Sequence, residues 1–102
     1  MEEIRPIRFC DTNCVIELNR YQAGNGISID LNEVNTNEQV ARATINCPDE
    51  DLLADEVVIK DYSENEGMLK TLIEAEIIAS PHKWTREAFP ICKLLIPCPP
   101  IR

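Results

Sequence analysis

Five cysteines (Cys10, Cys14, Cys47, Cys92 and Cys98), one histidine (His82) and eighteen acids are the residues of this 102-residue chain that could carry chemistry. A closed zinc site needs cysteine and histidine ligands in close, characteristic pairs. Cys10-x3-Cys14 and Cys92-x5-Cys98, with a single histidine, match none of those spacings. Cys14, Cys47 and Cys92 fall in or beside predicted strands, where a free cysteine behaves as a small buried hydrophobe. No metal and no cofactor is expected.

Nucleophilic catalysis by a Cys–His or Ser–His pair would have to use His82. That residue stands between Pro81 and Lys83 in a predicted loop, with no nucleophile elbow or protease-type cysteine signature nearby. The chain has only three glycines, and Gly24-Asn25-Gly26 reads as a turn, not as a phosphate cradle. Acids are abundant, but no two stand out as a glycosidase-type pair. Function has to be argued from a site, so the sequence points to a non-enzymatic protein. A small enzyme without a recognisable motif remains an alternative.

The acids are unevenly placed. Residues 49–76 hold ten of them (Asp49, Glu50, Asp51, Asp55, Glu56, Asp61, Glu64, Glu66, Glu74 and Glu76) against Lys60 and Lys70. The rest of the chain has eight acids and eight bases, so the whole net charge of −8 lies in this segment. Direct nucleic-acid binding is not expected, because phosphate contacts need clustered lysine and arginine. The segment reads either as a solvated face that aids solubility or as a docking face for a basic protein surface. The candidate partner-binding residues are Asp49, Glu50, Asp51, Asp55, Glu56, Asp61, Tyr62, Asn65 and Glu66. A second alternative is a DNA mimic that inhibits a host defence protein. It would need carboxylates in an extended double row, since duplex DNA carries a charge every ~1.7 Å of axis.

The elements that would position these residues follow from periodicity. Residues 14–21 alternate, with Cys14, Ile16 and Leu18 on one face and Glu17 and Asn19 on the other. Asn25-Gly26 is a hairpin signal, and 27–31 alternates again with Ile27, Ile29 and Leu31 inward and Ser28 and Asp30 outward. A third strand is expected at 39–45, where Ala41, Ala43 and Ile45 share a face small enough for a helix to pack close. Val57, Val58 and Ile59 suit a short interior strand at 57–60. Ser63-Glu64-Asn65-Glu66 matches a capping box, which starts a helix at Ser63. Met68, Leu69, Leu72, Ile73 and Ile77 form its apolar stripe, and Pro81 stops it.

Gly67 falls at the fourth position of that predicted helix, where glycine costs about 1 kcal/mol relative to alanine. Close approach of another backbone or a docking surface would account for it. Trp84 should anchor the loop 82–88, and 89–96 reads as the last strand. The expected fold class is α+β: a mostly antiparallel sheet of about five strands, in the order ββββ-α-β, with one amphipathic helix packed on one face. Residues 1–96 form one domain, and the proline-rich residues 97–102 form a loose tail.

The block Val58-Ile59-Lys60-Asp61-Tyr62-Ser63-Glu64-Asn65-Glu66-Gly67-Met68-Leu69, followed by Leu72-Ile73-Glu74-Ala75, resembles a family of small proteins of gut bacteria and their conjugative or phage-derived elements. That family is known only as a domain of unknown function. The Phe89-Pro90-Ile91-Cys92-Lys93-Leu94-Leu95 ending is similar to its closing strand. The resemblance implies a fold and a mobile-element setting, and it brings no catalytic or binding residues with it.

The N-terminus has neither the basic start nor the apolar stretch of a secretory signal, and the cysteine count is odd. No apolar run approaches the ~18 residues of a membrane span. The expectation is a reduced, cytoplasmic protein with no membrane contact, monomeric or weakly dimeric.

Overall fold

Ile7-Arg8-Phe9 alternates buried, exposed, buried, and it forms a strand that the periodicity of the longer segments overshadows. The computed structural model describes residues 6–24 and 26–100. Strands β1 (Ile7–Phe9), β2 (Thr12–Arg20), β3 (Ile27–Glu33) and β4 (Gln39–Arg42) make an antiparallel sheet in chain order. Cys10 and Asp11 join β1 to β2 with φ of 51° and 59°. Two positive φ angles in a two-residue loop match the strand twist as a type I′ turn does.

The β2–β3 hairpin runs in register from Cys14↔Glu33 to Arg20↔Ile27, and the Tyr21 amide donates to the Gly26 carbonyl at 2.7 Å. Asn25, half of the predicted turn signal, lies outside the described residues. Gly24 takes φ of 83°, and a Cβ there would stand 3.0 Å from Pro48. The hairpin tip therefore rests on the start of the acidic loop.

Cys14, Ile16, Ile27, Ile29 and Leu31 are buried as their alternation predicts. The outward face of β3 is a correction: Ser28, Asp30 and Asn32 are buried too. Strand β3 lies between β2 and β4, and long neighbouring side chains close over it. Arg42 donates to both Asp30 oxygens, at 2.7 and 3.3 Å, and Asn32 Nδ2 donates to Glu17 Oε1 at 3.0 Å.

Strands β5 (Glu56–Val58), β6 (Lys83–Trp84) and β7 (Pro90–Lys93) form a second antiparallel sheet, in the order β5-β7-β6. The α+β class and the antiparallel pairing hold, but there are two sheets, of four and three strands, where one of about five was expected. After β4 the chain leaves the first sheet and crosses to the second. Ile45 N donates to the Val58 carbonyl at 3.0 Å, Lys60 N donates to the Ala43 carbonyl at 2.8 Å, and Thr44 bridges Ile59. Strand β5 comes first in its sheet, but with β7 on one side and residues 43–45 along the other its Val57, Val58 and Ile59 are buried as expected. Trp84 is 57% exposed and anchors nothing.

The helix also starts later than predicted. Ser63–Asn65 is a single 3-10 turn, Ser63 sits at φ 54°, and no side-chain cap forms there. Helix α1 runs over Met68–Glu74, with Gly67 as its N-cap at φ 93°. The cap comes instead from Asp61, whose Oδ1 accepts the Leu69 amide at 2.8 Å. Gly67 is therefore required by its left-handed backbone. Nothing lies within 4 Å of where its Cβ would be, so no close backbone approach explains it.

Met68 and Leu72 of α1 are fully buried, Leu69 and Ile73 pack at the edge of the core, and Ile77 is buried just past the helix. The strand nearest the helix is β1, not the alanine-bearing third strand. Ala43 is fully buried where the chain passes between the sheets: its amide donates to the Ile29 carbonyl and its carbonyl accepts from the Lys60 amide. Ile96 packs against the core just before the tail, and within the tail the Pro99 carbonyl accepts Arg20 Nε at 3.3 Å. Among the described residues, 97–100 join no strand, as the prolines dictate, and the chain is held at Pro99.

Candidate functional surface

The nine candidate residues divide into three groups. Glu56 and Asn65 are buried, at 3% and 2% exposure, and cannot meet a partner. Glu56 belongs to the framework: Oε1 accepts the Leu53 amide at 2.8 Å, Oε2 faces His82 Nε2 at 2.5 Å, and Lys83 Nζ lies 3.3 Å from Oε1. Burial by itself would raise the Glu56 carboxyl. Hydrogen bonds from the Leu53 amide, His82 and Lys83, with the charge of Lys83, outweigh it and hold the group below its ordinary value. Asn65 turns inward because its Nδ2 donates to the Arg42 carbonyl at 2.7 Å, closing the end of β4. The sequence reading counted both among the partner-binding candidates; the contacts with His82, Lys83 and Arg42 draw them in.

Asp55 and Asp61 are half-buried. Asp55 Oδ2 stands 3.9 Å from Lys93 Nζ, and Asp61 caps α1. The remaining residues face solvent or nearly so: Asp49, Asp51, Tyr62 and Glu66 are exposed, and Glu50 is at intermediate burial.

Glu50 links loop 49–51 to a distant part of the chain. Its Oε2 accepts the Arg86 amide at 3.2 Å, which ties the loop to the turn after β6. That turn is closed by Thr85, buried, whose carbonyl accepts the Ala88 amide at 2.9 Å and whose Oγ1 accepts the Phe89 amide at 3.1 Å. Phe89 then stacks on Tyr62, with ring centroids 5.6 Å apart and planes 17° apart.

Two shallow hollows adjoin across Glu87 and Phe89. One is lined by 45–50 with Arg86, Glu87 and Phe89, and the other, of about 470 Å³, by Asp61, Tyr62, Leu69, Trp84, Glu87 and their neighbours. The acidic loop and the Tyr62 rim, separate in sequence, thus form one surface. Its missing members, from the sequence standpoint, are Trp84, Glu87 and Phe89. The available signal was local: Trp84 sits in Lys83-Trp84-Thr85-Arg86-Glu87, a stretch with no apolar partners to bury it.

The His82 ring pairs with Glu56, and among the described residues no thiol or hydroxyl bonds to it. Burial pushes the thiols of Cys14 and Cys47 up, with nearby Glu33 and Glu50 adding to it, and drives Cys92 up to about 11. A nucleophilic cysteine needs the opposite shift. Cys10 and Cys98 are exposed. Among the described residues no three of His, Cys, Asp or Glu are grouped to hold a metal ion, and no helix is long and apolar enough to cross a membrane. Compared with known proteins, the chain matches no family model, no curated protein and no solved structure.

Proposed function

We propose that this chain is a small non-enzymatic interaction protein whose acidic surface receives a basic surface of a partner protein. The observation that carries this reading is the Glu50–Arg86 contact, which joins the exposed acids of loop 49–51 to the Glu87–Phe89 turn and so to Tyr62. A mainly acidic surface, with Arg86 as the cation of its first hollow and aromatic side chains between the hollows, suits a docking patch, where charge sets on-rate and register and aromatics supply contact. The resemblance of the 58–69 block suits an accessory protein of a mobile element acting inside the cell. The neighbourhood of its gene tests that setting.

The DNA-mimic alternative draws less support. Glu56 is buried, Asp55 and Asp61 are half-buried and Glu64 is paired with Lys60, so the acids of the segment differ in exposure and pairing, which speaks against a regular row.

The test is an association rate. A partner captured at low salt is identified, and its binding is timed against the wild-type chain and against Asp49→Asn/Glu50→Gln/Asp51→Asn. The variant should bind several-fold more slowly at low ionic strength and at nearly the same rate once salt screens the charges. Equal rates at both ionic strengths would reduce the segment to a solubility device.

A further inference from the structure

The hollow beside Trp84 has a composition that singles out one kind of guest. Trp84 is the only tryptophan of the chain, and it stands 57% exposed on a two-residue edge strand. Its lining combines Trp84, Tyr62, Phe89 and Leu69 with the carboxylates of Asp61 and Glu87, and it includes no lysine or arginine. The nearest strand cation is turned away, because alternation along β6 puts Lys83 on the opposite face, where it pairs with Glu56. One of these rings already has a cation beside it: Lys60 Nζ, paired with Glu64, lies 5.5 Å from the Tyr62 ring centroid. Trp84, the stronger cation–π acceptor by type, has no such neighbour among the described contacts.

We propose that this hollow seats an arginine side chain carried by an extended basic segment of the partner protein. The guanidinium stacks on the Trp84 indole and pairs with the Glu87 carboxylate, and its aliphatic stem lies along Leu69 and Phe89. Arginine fits better than lysine because a planar guanidinium can stack and bond a carboxylate in the same pose. Asp61 contributes charge, with its Oδ1 already occupied by the Leu69 amide. The proposal rests on the acidic-surface reading and adds to it the place and the residue recognised.

The lone tryptophan makes the test direct. An alternating glycine–arginine nonapeptide and its glycine–lysine counterpart serve as probes. Binding is followed by anisotropy of end-labelled peptide, and occupancy by Trp84 emission and acrylamide quenching with unlabelled peptide. The arginine peptide should shift Trp84 emission and protect it from quencher. It should bind about three- to tenfold tighter than the lysine peptide, and Trp84→Ala should weaken it about tenfold at low and high salt alike. Trp84→Phe should retain most of the affinity. If Trp84→Ala does not fold, Glu87→Gln and the wild-type emission decide. Saturating anisotropy with unmoved emission and quenching, or a Trp84→Ala chain that binds like wild type, overturns the arginine seat and leaves the acidic-surface reading standing. No anisotropy change at low salt sinks both.

Discussion

Glu56 and the acids of loop 49–51 lie within eight positions of one another in the same run of negative charge, but their surroundings are opposite. Glu56 is 3% exposed and accepts from a backbone amide, with His82 and Lys83 beside it, whereas Asp49 and Asp51 stand in solvent. An acid inside a hydrogen-bonded cluster organises the chain around it, because removing it strands its partners. An acid on an open loop interacts through screened charge and costs the fold little. Net charge by segment therefore overstates the surface available to a partner.

The largest expected effect is at the buried end of this contrast. Glu56→Ala should lower stability by about 2–3 kcal/mol, the scale of lost hydrogen bonds to a charged group. The urea midpoint measures it, and a loss no greater than that of the loop variant would erase the distinction.

A pH series sharpens the same point. The Glu56 carboxyl is held below its ordinary value in the folded chain, so over the acid range the unfolded state binds more protons and stability rises with pH. Its contribution is complete above the ordinary glutamate range and is lost as pH falls through the lower folded value. In Glu56→Gln the acid limb of the stability curve should be shallower than in wild type, read from urea midpoints between about pH 3 and pH 6.

Next in size is the helix cap. Asp61→Ala should cost about 1 kcal/mol, since it removes the acceptor of the Leu69 amide. Ser63→Ala should change the midpoint by less than about 0.5 kcal/mol, because Ser63 makes no cap bond. The reverse ranking would mean that the helix starts at Ser63 after all.

The smallest effect belongs to the exposed acids. Asp49→Asn/Glu50→Gln/Asp51→Asn should alter stability within about ±0.5 kcal/mol. Of the three, Glu50 is the one expected to register, through its bond to the Arg86 amide. A large loss of stability would mean that the loop is framework, like Glu56, and not surface.

Alternation and apolar content were enough to read the α+β class, the inward faces of β2 and β3, the buried Val57-Val58-Ile59 run and the apolar side of α1, because these depend on neighbours within a few residues. The turn at Cys10-Asp11 was hidden because Cys10 is not a usual type I′ residue, and β6 because two residues show no period. Ser63-Glu64-Asn65-Glu66 carried a valid capping pattern, but the pull of Asn65 onto the Arg42 carbonyl and the left-handed Gly67 moved the helix start to Met68. The candidate surface was legible only as charge. Which acids face solvent was decided by contacts across long sequence distances: Glu56 with His82, Asn65 with Arg42, Glu50 with Arg86, and Tyr62 with Phe89. Local propensity carries no information about such pairs. They form because the chain crosses from one sheet to the other at Thr44 and Ile59, and that crossing sets which carboxylates are enclosed and which are left in water.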